Sequence, residues 1–291
     1  MVGLFRKILV PLDFTINSDI AISKAMDLID SEAGVISLVH VRKPVFAFSK
    51  LLSSGNMETT VAEIYTESEI QQKLEGYKLL IQDKLPGLLI ETGNYENMIV
   101  QKGIIRFSRL FAPDLIIIGR RGNKRYLPLR RQISPGHIAK KTNCPVLTIK
   151  PGAVATKIKD IVLPITNRVP ERKLDLAIRI SKKFNAKVHL VAFPINHRSE
   201  NNGDGTLIEC FHKIKEKIPL LVRLAPLEGS SLVRATLSYA EFINADMILA
   251  NPPAESSVLS VVGKRHLSDM LLSTSHIQIM DIIPYSTSKE N

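Results

Sequence analysis

Tryptophan is absent from the chain, and cysteine occurs only twice, at Cys144 and Cys210. Two thiols supply neither a disulfide framework nor a paired motif of zinc-ligand spacing, so a reducing cytoplasm is the expected setting. Long apolar runs are missing as well; none approaches the roughly 20 residues needed to span a bilayer. From Arg6-Lys7 the chain passes through only Ile8-Leu9-Val10 before Pro11 and Asp13, too short a run for a signal peptide. No membrane partner is expected. Aromatic residues total 5%, which argues against a stacking surface for single-stranded nucleic acid. Seven histidines are scattered without an HExxH or a tight His/carboxylate spacing, and no metal is expected.

What is present is ordinary globular material: 45% hydrophobic and 23% charged residues, with a formal net charge of +11. The charge favours anionic partners at long range without choosing a function. At 291 residues the chain exceeds one compact domain, and two are expected.

An internal repeat sets the organisation. Lys7-Ile8-Leu9-Val10-Pro11-Leu12 recurs as Asp160-Ile161-Val162-Leu163-Pro164-Ile165, each an apolar run closed by proline and a polar turn, as for a strand buried on both faces. Helical stripes follow, Ile22, Ala25, Met26 and Ile29 in the first half and Leu174, Ala177, Ile178 and Ser181 in the second. The runs 35–41 and 114–119 likewise have counterparts at 188–193 and 246–251. Strands are expected near 6–13, 34–41, 87–92, 114–119 and 145–150, then 158–165, 187–193, 219–225, 246–250 and 277–283. Their alternation with helices argues for right-handed βαβ units in two doubly wound parallel sheets of five strands. Pro151-Gly152 and the residues to Thr156 punctuate the chain where the repeat restarts, dividing it into 1–152 and 153–291. Residues 43–66 and 196–206 lack a sustained period and are expected to be long loops, where function often sits.

The segment Asp-Leu-Ile-Ile-Ile-Gly119-Arg-Arg-Gly122, followed by a long basic loop, a helix and Asn143-Cys144-Pro145-Val146, resembles the phosphate loop of the universal stress protein family, G-x2-G-x9-G-[ST]. With Ile8 to Asp13 and the strand ending at Val41, the resemblance covers the first half; the second follows the same order more loosely. It implies an adenine-nucleotide alpha hydrolase-like fold, strand order 3-2-1-4-5 in each half, and a stress-response protein that regulates or binds more than it catalyses. In members that bind ATP, the matching contacts fall on Asp13, Val41, Gly119, Gly122, Gln132 and Ile133. Glycines there admit backbone N–H groups to phosphate, and the next helix offers its N-terminal donors. ATP or AMP is therefore the ligand to consider for the first domain.

Two positions depart from the motif. Gln132 puts a side chain where the family has glycine, and Ile133 an apolar group where it has a hydroxyl, so weak or absent ATP binding is expected. Ser134-Pro135 reads as an N-cap followed by proline at the first helical position. In the second half Thr166, Asn251 and Ala254 replace Asp13, Gly119 and Gly122, and the motif is lost. Arg120, Arg121, Lys124, Arg125, Arg130 and Arg131 either hold a polyanion by charge or form a solvated basic loop. Asp13 either contacts a ligand or caps the following turn. Both cysteines read as buried structural thiols.

These features lead to a regulatory or adaptor protein with an unidentified protein partner; the alternative is an ATP/AMP sensor with slow hydrolysis in the first domain. The family's habit of dimerising through its fifth strand implies that Val146 to Ile149 and Ile277 to Met280 pair within one chain as a pseudo-dimer. A homodimer of whole chains is compatible with that pairing.

Overall fold

The computed structural model describes residues 4–42, 65–120, 133–153, 157–166, 168–193, 203–219, 221–229, 231–252, 267–271 and 274–284. The first half runs β1 (Lys7–Leu12), α1 (Ile16–Leu28), β2 (Val35–Arg42), α2 (Glu67–Lys84), β3 (Leu89–Glu96), α3 (Val100–Phe111), β4 (Leu115–Gly119), α4 (Pro135–Thr142) and β5 (Val146–Ile149). A 3-10 turn, Pro151–Ala153, leads to β6 (Asp160–Pro164), α5 (Glu171–Phe184), β7 (Lys187–Ala192), α6 (Gly203–Lys215), β8 (Val222–Pro226), α7 (Leu232–Phe242), β9 (Met247–Ala250), α8 (Leu267–Met270) and β10 (Gln278–Asp281).

The strands form one ten-stranded sheet in the order β3-β2-β1-β4-β5-β10-β9-β6-β7-β8. Each half is parallel within itself and follows 3-2-1-4-5, and the two expected five-stranded sheets are joined edge to edge into one through the expected pairing of the strands at 146–149 and 277–280. The joint is antiparallel, with Ile279 opposite Thr148, Met280 opposite Leu147 and Asp281 opposite Val146. All four residues of β5 and of β10 are buried. Hydrogen bonding across this seam removes two free strand edges that would otherwise template aggregation.

Local chemistry explains most helix ends. Thr15 caps α1 by accepting from the Asn17 amide, and Thr66 with Glu69 forms a capping box at α2. Ala112, Asn143 and Asn185 stop α3, α4 and α5 in the left-handed region, φ 49°, 52° and 54°. Two expectations are corrected. Residues 203–206, the end of the expected loop 196–206, instead form the first turn of α6. β3 starts at Leu89 and runs to Glu96, beyond its apolar residues, because the chain keeps register with β2 as far as Arg42 opposite Glu96.

Alternation along the strands divides the core between the two faces. On one face Ile8, Val10, Leu147, Ile161, Leu163 and Met280 join α1, α2, α5 and α6 in a cluster that runs through both halves. The other face carries two clusters. Leu9, Val41, Ile116 and Val146 pack under α3 and α4, and Val162, Val191, Ile248 and Ile279 under α7 and α8. Asparagine 143 adds a link between halves, its side chain and carbonyl both accepting from Arg172 at the start of α5.

Candidate functional site

The strand order reverses between β1 and β4, and in a doubly wound sheet the crevice beyond the strand C-termini opens at that point. Asp13 and Gly119 stand there at the ends of β1 and β4. The carboxylate of Asp13 is turned into the local chain. Its Oδ1 accepts from the Thr15 amide at 3.1 Å, the Thr15 hydroxyl at 2.6 Å and the Ser18 hydroxyl at 2.8 Å. Ser18 Oγ in turn accepts from the Asp13 amide at 2.9 Å. This closed set holds the β1–α1 turn, in which Phe14 adopts φ 56°.

Gly119 fits against the same turn. A Cβ built on it would lie 1.9 Å from the carbonyl oxygen of Asn17, so the end of β4 and the first turn of α1 touch backbone to backbone. Arg120 continues the strand, its amide donating to the Ile149 carbonyl at 2.8 Å. The side chain of Val41 is buried under α3, where Gly103 leaves only enough room for it. Ile133 packs against the cluster under α3 and α4. Ser134 caps α4, its hydroxyl accepting from His137 and its amide donating to Gln101 Oε1 at 2.7 Å, with Pro135 at the first helical position. Gly122, Gln132 and the basic residues Arg121, Lys124, Arg125, Arg130 and Arg131 lie outside the described residues.

The structure adds a group that residue spacing does not announce. His40 in β2 stacks on Phe14, ring centroids 4.5 Å apart, and its Nδ1 donates to the Leu12 carbonyl at 2.9 Å. Tyr65 meets Phe14 edge-on, and the Lys73 ammonium lies 4.6 Å from the Tyr65 ring centre and 5.7 Å from that of Phe14. Tyr77 donates to Asp19 Oδ1 at 2.6 Å. Burial lowers the pKa of His40, partly opposed by its bond to Leu12, and burial with the Asp19 contact raises that of Tyr77. The positive φ of Phe14, set by the Asp13 turn, is what brings its ring to His40.

In the second half Thr166 and Asn251 are exposed at the ends of their strands; Pro253, Ala254 and the Gly263 to Arg265 run lie outside the described residues. Lys173 of α5 is buried at the end of β6, donating to the Pro164 carbonyl at 3.1 Å, and burial lowers its pKa to about 8. Both cysteines are free and buried. Burial pushes Cys144, which donates to the Pro113 carbonyl, up to about 12 and Cys210 up to about 11. Among the described residues no cluster of three or more His, Cys, Asp or Glu has the placement of a metal site, and no helix is long and apolar enough to cross a membrane.

The model of the universal stress protein family matches residues 4–150. Among solved structures the chain is similar to a universal stress protein from Archaeoglobus fulgidus DSM 4304, with 16% identity, 97% of each chain covered and a TM-score of 0.63. It is also similar to a functionally unknown protein from Pseudomonas aeruginosa PAO1, with 14% identity, 96% of this chain and 93% of that one covered, and a TM-score of 0.56. A third likeness is to the cytoplasmic domain of a prokaryotic cation chloride cotransporter, with 13% identity, 95% and 94% covered and a TM-score of 0.51. No curated protein matches the chain. At these identities the structural likenesses establish the fold.

Proposed function

The chain belongs to the universal stress protein family, and from that premise we propose that it acts in stress response as a cytoplasmic regulatory or adaptor protein whose first domain holds ATP or AMP weakly or not at all. Residues 1–152 and 153–291 are read as its two domains, the second without a nucleotide motif. One observation carries the proposal. At the β1–β4 crevice two of the positions that would serve a nucleotide are committed to local structure: Asp13 Oδ1 accepts from Thr15 and Ser18, and Gly119 packs against the Asn17 backbone with no room for a side chain. Ile133, at the place of the family hydroxyl, is half-buried and packs against the core cluster under α3 and α4.

Calorimetric titration with ATP and AMP tests this reading. The expected result is no saturable heat, or a dissociation constant well above the micromolar range; a value near 1 μM, about −8 kcal/mol, overturns it. Restoring the motif with Gln132→Gly and Ile133→Ser is expected to strengthen binding.

A second reading, an ATP/AMP sensor with slow hydrolysis, has its own support. The three bonds to Asp13 all fall on Oδ1, and the residue is exposed, which leaves Oδ2 as an acceptor for a ribose hydroxyl. In that case binding depends on Asp13 and, through Arg120, Arg121 and Lys124, weakens as salt screens the basic loop.

A further inference from the structure

Beneath α7, away from the β1–β4 crevice, three polar side chains form a relay. His189 of β7 has Nε2 2.9 Å from Oδ1 of Asp160, the first residue of β6, and Nδ1 2.9 Å from the hydroxyl of Tyr239 on α7. Asp160 and His189 share the sheet face of Val162 and Val191, which α7 covers. A carboxylate only accepts, so Nε2 carries the proton of a neutral ring; Nδ1 then accepts, and the Tyr239 hydroxyl donates to it. This is the polarity of a hydroxyl whose proton is drawn by an imidazole that a carboxylate orients.

His189 itself is buried, and the relay borders solvent at its two ends. The Asp160 side chain is 25% exposed and Tyr239 is half-buried. Arg223, exposed on the edge strand β8, is the register partner of His189 and so stands on the same face, offering positive charge nearby. The fold does not require the arrangement. In the first half the equivalent positions hold Lys7, Ser37 and Phe107, and Phe107 packs between the rings of Tyr95 and Phe111.

We propose that Tyr239 is a nucleophilic hydroxyl, with His189 as its general base and Asp160 as the residue positioning His189, which takes the acyl group of a small activated ester or mixed anhydride. Tyr239 Oη attacks the carbonyl carbon while its proton passes to His189 Nδ1. The bond from that carbon to the leaving group breaks, the leaving group departs with the electron pair as an anion, and the product is an aryl ester on Tyr239. Burial and the neighbouring Asp160 charge keep the phenol protonated at rest, so the base acts during the attack. His189 then releases its proton to solvent, and Asp160 stabilises the imidazolium meanwhile.

Treatment with 4-nitrophenyl acetate, read by nitrophenolate release and by peptide mass, tests the proposal on the folded full chain. Tyr95, 40% exposed and without such a partner in the relay, is the internal reference. Tyr239 is expected to acetylate about a hundredfold faster than Tyr95, the scale of general-base assistance. Unfolding in urea is expected to erase the difference, His189→Gln to bring Tyr239 to the rate of Tyr95, and Asp160→Asn to slow it by about tenfold or more. Equal rates for Tyr239 and Tyr95 in the folded wild type overturn the proposal, as does an undiminished rate in His189→Gln.

Discussion

The ammonium of Lys173 donates to the carbonyl oxygen of Pro164 at 3.1 Å while only 3% of the residue reaches solvent. Removal from water disfavours its charged form and lowers its pKa from 10.5 to about 8. Between these values the unfolded chain binds more protons than the folded one, so this residue makes stability rise with pH from about 8 to 10.5. Below pH 8 its cost is level, about 3 kcal/mol. In Lys173→Met the rise is expected to disappear, and the gap between the two proteins in urea unfolding to narrow as pH increases. Parallel stability curves across that window contradict the assignment.

Gly119→Ala is expected to destabilise the protein by about 3 kcal/mol, because the new methyl meets the Asn17 backbone, which has no rotamer by which to move aside. Denaturant unfolding measures the loss. A change under about 0.5 kcal/mol, the range of a neutral surface substitution, contradicts the packing described.

The Asp13 turn gives a smaller effect. Asp13→Ala removes the acceptor for Thr15 and Ser18, and a loss of about 1–2 kcal/mol is expected, as for other cap and turn substitutions. A ligand contact alone predicts unchanged stability in the unliganded protein.

At the seam, Gln278 is fully buried, and neither end of its amide has a hydrogen-bond partner among the described residues. Gln278→Leu keeps much of the volume and removes the burden of an unpaired amide. Thermal unfolding is expected to show a gain of about 1–2 kcal/mol.

Both thiols are buried with raised pKa, about 12 for Cys144 and about 11 for Cys210. A thiol reagent is expected to leave them unmodified in the native protein at neutral pH and to titrate both after unfolding, since the thiolate is the reactive form. Rapid native labelling of either contradicts this.

Strands buried on both faces declare themselves through contiguous apolar residues, and so β1, β2, β4 and their repeats at β6, β7 and β9 were legible from local sequence. The repeat showed that both halves share one order of elements, the family resemblance implied how the strands lie in the sheet, and Ser134-Pro135 announced the start of α4. Other features depend on residues far apart in the chain. β3 borrows its length from β2, and the seam, whose pairing the resemblance implied, takes its antiparallel register only from the packed strands. The uses of Gly119, of Phe14 beside His40, and of His189 between Asp160 and Tyr239 arise only where the sheet sets their backbones together. Hydrophobic period is a local property of the chain, whereas a hydrogen bond spanning 29 or 50 residues, or a glycine pressed against another helix, exists only once the packed sheet has fixed both partners in space.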